Sequence, residues 1–154
     1  MLTDGPASRA HLTAHRMVHC VLDGDEDGLG RELETVVDRK GDDLREYVRA
    51  VVAELIRVAT TAVRFSIGTD PNERTAYTID LRDGTDDEVS IDELDPPARA
   101  TIRAMLAELN GSAEDASIQL DLAVQTIDPL TGLETVRRAL TMTVGVLSWS
   151  QEDA

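Results

Sequence analysis

The strongest periodic signal in the sequence lies between Asp42 and Phe65, where apolar residues recur at every third or fourth position. This spacing places them on one broad face of an α-helix. The face consists of Leu44, Tyr47, Val48, Val51, Val52, Leu55, Ile56, Ala59, Ala62 and Val63. Asp42 and Asp43 stand at the helix start, where acids are favoured, and Gly68 follows its end. A helix over residues 42–65 is about 36 Å long, the width of a small domain, so it is predicted to be central.

Helical periodicity, together with prolines and capping residues, predicts about five further helices. The first runs from about Pro6 to Leu22, and the second follows the acidic stretch Asp23–Asp27. The start signals of the other three are Asp95-Pro96-Pro97, Ser112 with Asp115, and Asp128-Pro129. The last helix extends towards Trp149, but residues 139–149 also alternate as a strand does, so both interpretations stay open there.

The period changes between the third and fourth helices. Tyr77, Ile79 and Leu81 alternate with polar residues, and so do Val89 and Ile91 after a polar, glycine-containing turn. Alternation on both sides of a turn is typical of a β-hairpin. The predicted fold is therefore mainly α, with about six helices around a long central helix (about 42–65) and one inserted β-hairpin (about 75–91).

Length and composition indicate a single domain over residues 1–154, with a short flexible tail at 150–154. The chain has 154 residues, of which 42% are hydrophobic, 29% charged and 3% aromatic. Leu, Val, Ile and Ala must therefore build the core, which suits packed helices. The single cysteine, Cys20, cannot form an internal disulfide, and we recognise no secretory signal near the N-terminus. We expect a cytoplasmic protein.

The formal net charge of −15 limits the classes of partner. Binding to nucleic acid or to an anionic membrane requires clustered Lys and Arg, so neither is expected. A basic protein partner, or imitation of DNA by the acidic surface, stays open. The simplest interpretation is a well-solvated surface.

The segment Asp23–Gly28, with Glu34 six residues later, matches the pattern of an EF-hand calcium loop. The surrounding sequence argues against calcium. The apolar period of the second helix begins at Leu29, inside the supposed loop, and Gly30 stands where such a loop places an aliphatic residue. We therefore expect an acidic helix start and no calcium site.

All three histidines, His11, His15 and His19, lie four residues apart along one edge of the first predicted helix. Two imidazoles one helical turn apart can share a transition metal such as zinc, nickel or copper. A closed site would also need carboxylates from elsewhere, which the sequence does not place. The alternatives are a half-buried helix edge that contacts solvent or carboxylates, and a contact that responds to pH. The three histidines are the candidate metal ligands, but no cofactor is expected from their spacing alone.

Common catalytic motifs are missing from the sequence: there is no GxSxG, no P-loop, no GxGxxG after a strand and no CxxC. Cys20 is close to His19 in sequence but points about 100° away from it on a regular helix. We therefore interpret the chain as a non-catalytic adaptor or regulatory protein that acts through protein–protein contacts. The alternative is a protein that binds a transition metal or small ligand through His11, His15 and His19. Catalysis by scattered residues is left open.

A homodimer is expected because the apolar surface exceeds what a few short helices would cover. The central helix has a wide apolar stripe, and the last segment carries Met142, Val144, Val146 and Trp149. A helix that is apolar on every side must be surrounded by partners. Two-fold pairing is the commonest way to provide them, and the free edges of a hairpin offer a second contact.

Overall fold

The computed structural model describes residues 6–67 and 85–152, with the side chains of residues 9–66 and 85–148. These parts of the chain contain six α-helices and one short 3₁₀ helix. The α-helices are α1 (Pro6–Asp23), α2 (Glu26–Val37), α3 (Gly41–Ile67), α4 (Pro96–Leu109), α5 (Ala113–Val124) and α6 (Pro129–Glu152). The prediction of a mainly helical fold is confirmed.

The apolar face of α3 forms the middle of the core, and α3 packs against each of the other five α-helices. Six of its apolar side chains are at most 1% exposed: Leu44, Val48, Val51, Val52, Leu55 and Ala59. The other helices add to the same core Met17 from α1, Val36 from α2, Met105 from α4, Leu120 from α5 and Val136 from α6. The wide stripe on α3 is thus covered within the chain.

A tight turn joins α1 to α2 in the segment that matches a calcium loop. Gly24 adopts a φ of +72°, and the carboxylate of Asp25 caps α2 by accepting a hydrogen bond from the backbone N–H of Gly28 at 2.9 Å. A Cβ at Gly28 would lie 2.2 Å from that carboxylate, so glycine leaves the cap its space. Glu34 lies within α2 instead of closing a loop. The lack of calcium binding stays a prediction.

The predicted β-hairpin at about 75–91 is not borne out. Its first strand and the first half of its turn, residues 82–84, lie outside the described residues. The described remainder of the segment contains no strand, only an isolated bridge residue, Glu88. The hydroxyl of Ser90 accepts a hydrogen bond from the N–H of Asp92 at 3.3 Å and so begins the 3₁₀ helix Ile91–Glu93. Such a local side-chain bond competes with strand pairing, and a two-residue alternation is too short to overcome it.

The segment 139–149 is helical and belongs to α6. The sequence alone allows either a helix or a strand there. Its alternating threonines are accommodated by hydrogen bonds to carbonyls. Thr143 is fully buried, and its hydroxyl lies 2.8 Å from the carbonyl oxygen of Ala139 and 3.0 Å from that of Leu55. A threonine can therefore occupy a core position of a helix without leaving its hydroxyl unsatisfied.

α6 lies along α3 and is the last helix. The two helices approach closely at Gly132, where an added Cβ would lie 3.3 Å from a methyl group of Val48. α6 ends at Glu152, inside the segment 150–154 for which the sequence predicts a tail. Within the described ranges, no helix combines the length and the apolar character that crossing a membrane requires.

Candidate metal centre

Two histidines of α1 and one glutamate of α3 meet where these helices pack together. His11 and His15 are four residues apart and share one face of α1, with ring centroids separated by 4.5 Å. The neighbouring Ala10 and Ala14 are fully buried. Because alanine is small, it lets α1 approach α3 closely, and this edge of α1 comes to lie on Glu54.

One carboxylate oxygen, Glu54 Oε1, is the centre of the cluster. It lies 2.9 Å from His11 Nδ1 and 3.0 Å from His15 Nε2. Arg57, one turn further along α3, donates a hydrogen bond to the same oxygen from Nη2 at 3.0 Å. The same Nη2 lies 3.5 Å from His11 Nδ1. Two imidazoles and one guanidinium therefore converge on a single carboxylate.

Glu54 is negatively charged at neutral pH. Its side chain is 12% exposed, and this burial alone would raise its pKa by penalising the charged form. Hydrogen bonds from Arg57, His15 and His11 outweigh burial and hold the pKa of Glu54 below its ordinary value. A deprotonated carboxylate is the form that binds a metal ion.

The donor set fits a first-row transition metal. Two imidazole nitrogens and one carboxylate oxygen are ligands that zinc uses in open, three-ligand sites. The three donor atoms of His11, His15 and Glu54 all lie within 4.8 Å of one another. In a tetrahedral zinc site with bonds of about 2.0–2.1 Å, donor atoms are about 3.3 Å apart. Small side-chain adjustments would bring the three donor atoms to these distances, and a metal held by three protein ligands would keep a position for water or another ligand.

His19, the third histidine of the predicted stripe, does not join the other two. It lines a shallow depression between α1 and α2, together with Cys20, Asp25 and Glu32. The reason is helix geometry, since residues four apart are rotated by about 40° at each step. Two steps carry His19 well away from the direction of His11.

Cys20 is not an activated nucleophile. Partial burial, followed by the nearby charges of Asp25 and Glu32, raises the pKa of its thiol. Its Sγ lies 4.0 Å from Asp25 Oδ2. A thiol with a raised pKa is protonated at neutral pH and reacts slowly, because the thiolate is the reactive form.

Sequence reasoning did not identify Glu54 as the carboxylate partner of the histidines. A signal was present, because Glu54 is the single acidic residue between Tyr47 and Ile67 and lies among the apolar residues that form the broad face of this helix. A lone acid on such a helix needs a partner when the helix is packed. Which histidines supply it depends on how α1 crosses α3, and that is a tertiary contact.

A second and larger groove, of about 820 Å³, lies between α4 and α6. Its apolar lining consists of Val89, Leu94, Ala98, Ile102, Leu130, Leu133 and Met142. The polar side chains at this groove include Glu134, Arg137 and Arg138. An apolar lining with one acid and two arginines offers a contact surface but little acid–base or metal chemistry.

Comparison with known proteins gives no further assignment of this site. No protein-family model, no curated protein and no solved structure matches the chain.

Proposed function

We propose that this protein binds a transition metal ion through His11, His15 and Glu54. The observation that carries the proposal is the convergence of these three donor groups, from two packed helices, within 4.8 Å. It is the alternative function expected from the histidine edge, with Glu54 taking the place of His19. Imidazole ligands favour zinc, cobalt, nickel or copper over calcium and magnesium, which prefer oxygen ligands.

Arg57 must leave Glu54 when the ion binds, since both compete for the same oxygen. Its side chain is 62% exposed, so it can turn towards solvent at little cost. Without a metal ion, Arg57 balances the charge of this largely buried carboxylate. Arg57 thus stabilises the free site and is available to other anions once a metal replaces it.

The same cluster has a competing interpretation as a structural link between α1 and α3. Partly exposed ion pairs contribute about 0–1 kcal/mol to stability. A purely structural role therefore predicts small effects of substitution and no dependence on metal ions. The two roles differ in what an added metal does to the melting temperature.

The test is thermal unfolding with and without zinc, cobalt or nickel, together with calorimetric titration. At a hundredfold excess over the dissociation constant, binding to the native state adds about 2.7 kcal/mol. For a domain of this size that corresponds to a rise of about 5–10 °C in Tm. His15→Ala and Glu54→Gln are expected to remove most of the rise.

His19→Ala is the matched control, because it removes the same type of side chain from the same helix outside the cluster. We expect it to keep the full metal-dependent rise. No rise with any of the three metals would contradict the proposal. So would a rise that His19→Ala abolishes as completely as His15→Ala does.

A second candidate function is the non-catalytic adaptor or regulatory role that composition favours, with a homodimer as its simplest form. The specific observation in its favour is the apolar groove between α4 and α6, where Leu130 is 74% exposed. Contact with a protein partner would cover this surface. A cytoplasmic location belongs to both proposals, because the single Cys20 suits a reducing compartment. Measurement of the oligomeric state tests the dimer.

A further inference from the structure

A groove of about 640 Å³ begins at the metal centre and continues along α3. After Glu54 and Arg57, its α3 side consists of Val58, Thr61, Ala62, Phe65 and Ser66. These residues follow one another at helical spacing, so they form one continuous strip of the helix surface. The strip from Glu54 to Phe65 is about 16 Å long at about 1.5 Å per residue. The metal centre therefore stands at one end of an elongated surface.

The charge at this end of the groove favours an anion. A divalent ion together with the Glu54 carboxylate and two neutral imidazoles leaves a net charge of about +1. Arg57 adds a second positive charge at the same point, once the ion has taken its place on Glu54. This is a locally positive spot on a chain whose net charge is −15. A guanidinium presents paired N–H donors that match a carboxylate.

The rest of the groove favours an apolar tail. Val58 and Ala62 are half-buried, and Phe65 at the far end is 89% exposed. Phe65 is the single phenylalanine of the sequence. Apolar side chains that line a groove beside a few charged groups are typical of small-ligand sites, in which the charged groups fix the orientation.

We infer that the metal centre binds an organic monocarboxylate with an aliphatic tail. The carboxylate occupies the open coordination position and pairs with Arg57. The tail lies along α3 against Val58 and Ala62, and a longer tail reaches Phe65. This inference rests on the proposed metal site and adds the class of its ligand.

The test uses the full chain loaded with cobalt(II), whose visible absorption reports a change of ligand. Hexanoate, acetate and hexylamine are titrated separately. Acetate lacks the tail and hexylamine lacks the carboxylate, so the comparison separates the contribution of each group to binding. We expect hexanoate to bind at least about tenfold more tightly than acetate, because the longer tail buries additional CH₂ groups. Hexylamine has the same tail and the opposite charge, and it should leave the spectrum unchanged.

Two variants separate the contributions, and both keep the three metal ligands. Arg57→Gln should weaken hexanoate and acetate by a similar factor, about tenfold. Val58→Ala should weaken hexanoate and leave acetate unchanged, because the hexanoate tail is long enough to contact Val58. Arg45→Gln, on the exposed start of α3, is the control and should change neither affinity.

The outcomes distinguish this inference from the proposed function. If cobalt binds but hexanoate binds no better than acetate, or if neither Arg57→Gln nor Val58→Ala alters binding, the inference is wrong and the metal site stands. If cobalt fails to bind the wild-type protein, the proposed function is wrong and the inference falls with it.

Discussion

Two polar side chains of α3 join neighbouring helices to its apolar surface. The carboxylate of Glu54 contacts His11 and His15 of α1. Tyr47 is 2% exposed, and its hydroxyl donates a hydrogen bond to Thr13 of α1 at 2.8 Å. The hydroxyl of Thr35 in α2 lies 3.0 Å from the same oxygen, and the guanidinium of Arg39 stacks 3.7 Å from the ring centroid. Tyr47 thus links three helices at one point.

Tyr47→Phe is predicted to destabilise the protein by about 1–2 kcal/mol. The substitution keeps the packed ring but leaves the buried hydroxyl of Thr13 without this partner, and an unsatisfied buried group costs about that much. Urea unfolding measures the change. Adding Thr13→Val removes the orphaned hydroxyl, so the double variant should lose less than the sum of the single losses. Strict additivity would show that the two hydroxyls are not coupled.

An ion pair connects α6 to the start of α4. Asp95 precedes the first turn of α4, and its carboxylate is paired with Arg138 of α6, which also donates a hydrogen bond to Glu134 at 2.8 Å. The hydrogen bond from Arg138 outweighs burial and lowers the pKa of Asp95 below its ordinary value of 3.8. The same contact raises the pKa of Arg138. The two helices therefore share a contact that depends on the charge of Asp95.

The lowered pKa gives this contact a defined pH dependence. A carboxylate whose pKa is lower in the folded state stabilises the fold above its unfolded pKa of 3.8, and the stabilisation is lost as pH falls through the folded value. Both side chains are partly exposed, so Asp95→Asn should cost less than about 1 kcal/mol at pH 7. Denaturant unfolding from pH 7 to pH 2.5 should show the variant and the wild type converging in acid. An equal difference at both ends would mean that the ion pair is not its cause.

At the scale of the whole molecule, sequence periodicity predicted the helices well because each helix is a local structure. The stripe from Leu44 to Val63 and the proline at Pro96 mark α3 and α4 without knowledge of their neighbours. The features that were missed depend on packing or on short local bonds. Val89 and Ile91 alternate with polar residues as in a strand, but the hydroxyl of Ser90 caps a 3₁₀ helix that begins at Ile91.

One part of the candidate metal centre could also be predicted from the sequence, and the other part depends on packing. The spacing of His11 and His15 on one helix face was visible in the sequence, because it follows from the helical repeat alone. Glu54 lies 39 residues after His15, and only the crossing of α1 over α3 brings the two together. The sequence alone could not separate His19 from the other two histidines. A four-residue repeat turns gradually around the helix, and whether the third histidine still faces Glu54 depends on where α3 lies.

The expectation of a dimer rested on the apolar stripe of α3, on the last segment and on the edges of a β-hairpin. The hairpin is not borne out, and Met142, Val144 and Val146 of the last segment pack against the core. The apolar stripe of α3 needs no second chain, because the other five helices cover it. The exposed apolar side chains include Leu130 at the groove between α4 and α6, and Ile118 and Leu122 of α5, which are about half exposed. The groove places the exposed Leu130 beside the apolar side chains of Leu133 and Met142, so we expect this face to be the interface.

We predict a two-fold dimer through this groove, with about twice the monomer mass of 16.8 kDa in light scattering coupled to gel filtration. Leu130→Asp should give a monomer that remains folded, because it places a charge in the interface without disturbing the core. Ile118→Asp, on α5, is the matched control and should leave the dimer intact.

The concentration dependence of stability separates the interface from the core. Leu55→Ala should cost about 2–5 kcal/mol of unfolding free energy at every protein concentration, because it opens a cavity in the core. Loss of the interface should instead lower stability most in concentrated solution, where the wild type is dimeric, and should have little effect in dilute solution, where both proteins are monomers. Added salt should strengthen the dimer by screening the repulsion between two chains of charge −15. A wild-type mass near 16.8 kDa at tens of micromolar would contradict the dimer and with it the simplest form of the adaptor function.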